Sequence, residues 1–419
     1  MDYFVIEGGR RLEGEIKVFA AKNAILPMMA AAILADGEVV LRNVPDIADV
    51  RTMSEVLIRL GAEVEFDRRT HSLFINASRI SFFEAPYDLV RRMRASFLVL
   101  GPLLAKYGKA RVSQPGGCAI GARPVDQHIR GFQRLGARIT DEEGYTIAEA
   151  DRLRGTVVYF DRPSHTGTEN IMMAAVLADG TTEIVNASQE PEVVDLANML
   201  NAMGAKIYGA GTSRIVIEGV SSLGGIDYTP LGDRLEAGTY LFGVMSTGGK
   251  VKVTGVEPKN LCIALFKMSE MGAKITTGAD FIELETDTFP KPVNIVTAPF
   301  PGFPTDLQPM AMAVLTRAAG VSVVWERIFE NRFIHVMELI RLGAQISISG
   351  DKATIIGTRE LKGAKIMASD IRGGAGLLIA GLSARGKTIL RRVYHIDRGY
   401  ERIEERFGSL GAHIKRLSY

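Results

Sequence analysis

The sequence predicts an α/β protein of two domains, each of three repeats, with apolar helices inside and strands outside. Three observations predict it. A Leu/Met-Gly-Ala tripeptide closes an amphipathic stretch six times, with its glycine at 61, 136, 204, 272, 343 and 411. The spacings of 75, 68, 68, 71 and 68 residues exceed those of solenoid repeats and suit a compact α/β unit. Between these marks, TENIMMAAVLADG (168–180) and GGAGLLIAGLSARG (373–386) have almost no polar face, so helices there must be buried all round.

Each unit follows one order. It opens on a strand that ends in Gly and an L-x-G turn, as in IEGGRRLEG (6–14), IEGVSSLGG (217–225) and IIGTRELKG (355–363). The buried helix comes next, then a strand such as GEVVLRNV (37–44). A second helix carries Val50, Met53, Leu57 and Leu60 on one face at a 3.6-residue period. The glycine of the closing tripeptide supplies the positive φ that stops this helix. Six such units divide into a domain of residues 22–229 and a second of 1–21 with 230–419, joined through IDYTPLGDR (226–234). In that division the opening strand, residues 3 to about 21, belongs to the C-terminal domain.

Composition narrows the function classes. At 419 residues the chain has room for two or three domains, and 47% hydrophobic with 23% charged residues is globular rather than disordered. A net charge of +2 gives no bulk attraction to nucleic acid or membrane, so any basic site must be local. The start, MDYFVIEGGRR, has no signal-peptide grammar, and no apolar run is long enough for a spanning helix. With two cysteines in unlike contexts, Cys118 and Cys262, a reducing cytoplasmic location is expected. The six histidines show no metal-ligand spacing, so neither a metal nor a cofactor is implied, and neither Gly-rich nucleotide loop occurs.

The repeats break in one place. From the glycine ending the buried helix to that of the tripeptide, five units count 24, 24, 24, 23 and 25 residues, whereas Gly108 to Gly136 counts 28. The extra residues lie in QPGGCAIGARPVDQH (114–128), and an inserted Gly-rich loop is where binding or catalytic residues commonly sit. Cys118 there is either a small buried hydrophobe or an exposed thiol favoured as thiolate by Arg123. Cys262, in NLCIALFKMSEMGA, is expected on the apolar side of a helix. Lys22, Arg94, Arg332, Arg372 and Arg398 stand at element boundaries with no nearby partner in the sequence, and they suit a polyanion at helix N-termini. Asp306, in FPTDLQ, is either a helix cap or a functional carboxylate.

Taken together, AAKNA (20–24), APYDLVRRMRAS (85–96), PGGCAIGARPVDQH (115–128), FPTDLQ (303–308), ENRFIH (330–335) and YHIDRGYERIEE (394–405) resemble the UDP-N-acetylglucosamine enolpyruvyl transferase family of the EPSP synthase superfamily. The resemblance spans the whole chain. It implies two inside-out α/β barrel domains and transfer of the enolpyruvyl group of phosphoenolpyruvate to the 3-hydroxyl of UDP-N-acetylglucosamine, the first committed step of peptidoglycan synthesis. It further implies Asp306 as base and Cys118 as proton donor and target of the epoxide fosfomycin. Lys22, Arg123 and Arg398 are implied on phosphoenolpyruvate, supported by Arg94, Arg332 and Arg372, and Asn23 on the sugar hydroxyl or adduct. Sugar-nucleotide contacts are implied for Arg123, Pro124, Val125, Asp126, Gln127, Arg162, Ser164, His165, Asp306 and Ile328, and a substrate contact for Asp370. No nucleic-acid partner and no membrane insertion are expected.

One run departs from the family pattern. Where Ser-Val-Gly-Ala-Thr is usual, this chain has Ser164-His165-Thr166-Gly167-Thr168. The related enolpyruvylshikimate phosphate synthases lack the Cys loop with GARPVDQH, and a GNAGT-like run is missing here. A noncatalytic repeat scaffold would have loops of equal length and no lengthened Cys loop.

Overall fold

The computed structural model describes residues 2–114, 125–287 and 289–418. These form an α/β structure of two compact units, one taking residues 20–231 and the other 2–19 with 232–418, wherever described. Each unit has its own hydrophobic core.

Six four-stranded sheets occur among the described residues, three per unit, and all are wired alike. In one, Val157–Tyr159 runs parallel to Thr181–Val185, which pairs antiparallel with Arg214–Glu218, itself antiparallel to Lys206–Tyr208. Its strands alternate as a half-buried sheet should: Ile215 and Ile217 face the core while Arg214 and Glu218 face solvent.

Against the sheets pack six central helices: α1 (Lys22–Ala31), α2 (Leu100–Tyr107), α3 (His165–Ala175), α4 (Arg234–Thr247), α5 (Gln308–Leu315) and α6 (Ile371–Ser383). Every residue of α5 is buried, and α4 and α6 each leave a single residue short of full burial. The helices touch within their units, α4, α5 and α6 pairwise in one, α3 with both α1 and α2 in the other. Glycine permits the closest approaches. A Cβ on Gly101 of α2 would stand 2.4 Å from the Asn170 carbonyl oxygen of α3, and one on Gly376 of α6 would stand 2.7 Å from the Pro309 carbonyl of α5.

All six tripeptide glycines sit at φ between 94° and 112°. In each copy the following alanine N–H donates to the carbonyl five residues back, as in Ala62 to Leu57 (3.0 Å) and Ala412 to Phe407 (3.1 Å). This is the Schellman closure, which satisfies the last helical carbonyls and demands the left-handed residue that glycine adopts without a Cβ penalty.

The opening segment is two strands rather than one. Asp2–Glu7 pairs with Lys387–Arg391 and His413–Ser418, and Leu12–Lys17 pairs with Gly249–Thr254. The chain passes between units after residue 19 and again after 231. Part of the expected linker is therefore structured: Ile226–Tyr228 is a strand parallel to Val39–Leu41, and Leu231 N–H donates to Asp195 Oδ2 at 2.8 Å. Cys262 also departs from expectation. It begins the helix Cys262–Glu270 after a 3₁₀ turn and is exposed, its thiol 3.2 Å from the Lys259 carbonyl. The helical period turns the cysteine away from the face that buries Ala264, Leu265 and Met268. No helix among the described residues is long and apolar enough to cross a membrane.

Candidate active site

Candidate residues fall in both units. In the unit of residues 20–231, Lys22 opens α1, and its Nζ lies 3.3 Å from Oδ2 of Asp49, which is nearly fully buried. Asn23 follows, half-buried. Arg94 begins the 3₁₀ turn Arg94–Val99 that leads into α2.

Behind Arg94 lies a polar network that the sequence did not disclose. His128 is buried; the Asn170 amide stands 3.2 Å from its Nδ1 and the Thr166 hydroxyl 3.3 Å from its Nε2. Asn170 also donates to the Phe97 carbonyl (3.1 Å) and accepts from Gly101 N–H (2.9 Å), so its Nδ2 can donate to Nδ1 of a neutral ring. Burial, helped by the Arg94 charge, pushes His128 down to about 3. One neutral imidazole thus joins the helix Asp126–Arg134 to α3 and to the turn carrying Arg94.

Val125 stands at the N-cap of that helix, and Asp126 pairs with Arg130 at 2.8 Å. Gln127 reaches across the unit: its Oε1 accepts from Asp161 N–H (2.8 Å) and its Nε2 donates to the Arg162 carbonyl (3.3 Å). The structure therefore brings Gln127 and the exposed Arg162 together. Ser164 caps α3, its Oγ accepting from Gly167 N–H at 3.1 Å. The shifted glycine accordingly sits inside a capped first turn. Cys118, Arg123 and Pro124 lie outside the described residues.

His165 Nε2 is 3.0 Å from Oε1 of the buried Glu169 one turn on. Burial alone would lower this imidazole; Glu169, with Glu190 and Glu192 beyond it, outweighs burial and lifts it to about 9. A raised histidine stabilises the fold fully below its unfolded value of about 6.5 and loses that contribution as pH rises through about 9. Between those values the protein should lose stability, on the order of 1–3 kcal/mol, relative to the double variant His165→Gln/Glu169→Gln. Thermal melts across this window check the expectation, and parallel curves would contradict it.

In the other unit four candidates, Asp306, Arg332, Asp370 and Arg372, form one cluster. Asp306 lies in the 3₁₀ turn Thr305–Leu307 ahead of α5. It is not the α5 cap, a position held by Leu307. Instead Arg332 Nη2 donates to its Oδ1 (3.1 Å) and Arg372 Nε to its Oδ2 (3.2 Å). Arg332 also donates through Nη1 to Asp370 Oδ1 (3.3 Å) and through Nε to the Thr305 carbonyl (3.2 Å). Asp370 is the N-cap of α6, its Oδ1 accepting from the N–H groups of Arg372 and Gly373, both at 3.0 Å. Three of the cations that look solitary in the sequence, Lys22, Arg332 and Arg372, are thus paired with carboxylates 26, 27, 38 and 66 residues away.

Their burial differs in a useful way. The Arg332 and Arg372 side chains are 2% and 4% exposed, whereas Asp306 is 28% exposed. The two terminal nitrogens of Arg372 are buried, and its guanidinium lies 5.1 Å from the centroid of the Tyr400 ring. A buried guanidinium fork of this kind is suited to an anion. Beneath it His335 directs Nδ1 at the Arg332 carbonyl (3.1 Å), and burial holds it down at about 4. Ile328 lies in a turn whose N–H groups are gathered by Glu326, and Arg398 ends the 3₁₀ turn Val393–Arg398. Sequence reasoning missed Asp49, His128, Glu169 and Glu326. Only Glu326 had a local signal, a charge directly after the apolar strand Val321–Trp325.

Chemically, one unit offers a partly exposed carboxylate backed by two fixed guanidinium groups, and the other a lysine beside a helix N-terminus. Comparison with known proteins places the chain in a family. The family model "EPSP synthase (3-phosphoshikimate 1-carboxyvinyltransferase)" matches residues 6–407. UDP-N-acetylglucosamine 1-carboxyvinyltransferase 2 of Carboxydothermus hydrogenoformans is 52% identical over 420 residues, covering all of both chains. Among solved structures, the enolpyruvyl transferase NikO from Streptomyces tendae matches with a TM-score of 0.89 at 25% identity, covering 100% of this chain and 99% of that one. An EPSP synthase from Acinetobacter baumannii matches with a TM-score of 0.76 at 17% identity, covering both chains completely, a likeness of fold alone. The chain belongs to the EPSP synthase family of enolpyruvyl transferases.

Proposed function

We propose that this protein transfers the enolpyruvyl group of phosphoenolpyruvate to the 3-hydroxyl of UDP-N-acetylglucosamine, releasing inorganic phosphate, and so makes a peptidoglycan precursor in the cytoplasm. The observation that carries this is 52% identity along the full length of a relative bearing the name of that activity. The six alike sheets and buried helices support two inside-out barrels of three repeats, divided as residues 22–229 and 1–21 with 230–419.

The chemistry needs a base and an acid. The sugar oxygen bonds to C2 of phosphoenolpyruvate as its proton leaves, and C3 takes up a proton, giving a tetrahedral adduct. Loss of a proton from C3 and of phosphate from C2 then restores the double bond as an enol ether. Asp306 is the base of the first step, since its carboxylate is partly exposed and held by Arg332 and Arg372. Cys118 delivers the proton to C3. Lys22, Arg123, Arg372 and Arg398 hold the phosphate and carboxylate, and Asn23 orients the hydroxyl. Gln127, Arg162, Ser164, His165 and Ile328 take the nucleotide sugar.

Phosphate release from phosphoenolpyruvate with different acceptors tests the substrate. Turnover is expected with UDP-N-acetylglucosamine at least ~10³-fold faster than with shikimate 3-phosphate, because hydrogen-bonding sites reject an acceptor that leaves their groups unpaired. Release with shikimate 3-phosphate alone, or with neither acceptor, would contradict the assignment.

A further inference from the structure

Glu326 follows the strand Val321–Trp325 and is buried, 4% exposed, with no cationic partner among the described residues. A carboxylate in that position must be satisfied by hydrogen bonds. Its two oxygens divide the work. Oε1 accepts from the Thr297 hydroxyl (2.9 Å) and from the N–H groups of Ile328 (2.9 Å) and Phe329 (3.2 Å). Oε2 accepts from the Thr305 hydroxyl (3.1 Å). Thr297 is fully buried, and its Oγ1 accepts from Arg327 N–H at 2.9 Å, closing the same turn from the other side.

Through these bonds one side chain fixes two pieces of the site. Oε1 folds residues 327–329 and sets Ile328; Oε2 grips Thr305, the residue before Asp306, whose carbonyl in turn receives Arg332 Nε at 3.2 Å. The geometry points to Glu326 as a positioning residue that holds the turn of Asp306 in register with the turn of Ile328. It touches no reacting atom. This rests on the proposed roles of Asp306 as base and Ile328 as sugar-nucleotide contact, and it adds a residue to which no role had been attached. Misplacing a base by about 1 Å costs on the order of 10²-fold, so a tether this short can matter to rate.

Steady-state kinetics of three variants test it. Thr305→Val cuts only the link to Asp306 and leaves the Ile328 turn bound. Its kcat should fall roughly 10-fold or more while KM for UDP-N-acetylglucosamine stays within about twofold. Glu326→Ala frees both turns and should lower kcat and raise that KM together. Glu326→Gln should recover at least ~10-fold of the kcat/KM lost in Glu326→Ala, because the amide oxygen can still accept from the Ile328 turn and its N–H can donate to Thr305 Oγ1. If Glu326→Ala does not fold, Thr305→Val decides the matter. A Thr305→Val enzyme with unchanged kcat, or one impaired through KM alone, overturns the inference. If Asp306→Asn itself keeps its turnover, the base assignment has failed instead.

Discussion

Asp306→Asn is expected to lower kcat by about 10²- to 10⁴-fold, the usual contribution of a positioned general base. The amide keeps the shape and one acceptor oxygen but cannot take the hydroxyl proton. The structure also alters what should happen to stability. An Asp306 that merely capped a helix could be replaced by asparagine without loss, yet here its two oxygens each accept from a buried guanidinium. In the variant one of those donors faces an N–H group, and the cost is about 1–3 kcal/mol, reduced by the 28% exposure of the side chain. A modest fall in melting temperature is therefore expected alongside the kinetic loss. Near-normal kcat would contradict the base role whatever the melt shows.

Arg332→Met is expected to be the most destabilising single change in the cluster. The guanidinium is 2% exposed and is bonded to Asp306, Asp370 and the Thr305 carbonyl. Removing one partner from a buried ionic cluster commonly costs 3–5 kcal/mol, because the remaining charges stay behind unpaired. Asp306 and Asp370 are 28% and 14% exposed, so water can reach them in part and the lower end, about 3 kcal/mol, is expected. At roughly 2–4 °C per kcal/mol for a unit of this size, the melting temperature should drop by about 6–12 °C. Denaturant unfolding showing a loss below ~1 kcal/mol would mean that the cluster is not the electrostatic anchor described here.

These expectations show where local sequence suffices. The Leu/Met-Gly-Ala ends were legible because a Schellman closure is a local event: six consecutive residues and a positive φ at glycine determine it, and all six copies show it. The buried helices were legible because an all-apolar surface has only one stable environment. The pairing of the cations was not. Lys22 finds Asp49 and Arg372 finds Asp306 only after the units fold, and no pattern near either residue announces its partner. Cys262 is not on the apolar side because the helical period groups it with the exposed Phe266 and Ser269, opposite the buried Ala264 and Met268. Glu326 escaped notice because its four donors come from three separate stretches of chain.

The most direct measurement of the central claim is the structure of the product. The protein is incubated with phosphoenolpyruvate and UDP-N-acetylglucosamine, and the nucleotide sugar is followed by NMR and mass spectrometry while phosphate is assayed in the same tube. The account predicts one enol ether, attached at the sugar 3-oxygen, for each phosphate released, and no product from an acceptor lacking the 3-hydroxyl. Phosphate released without an enolpyruvyl sugar, or an ether at another position, would contradict it.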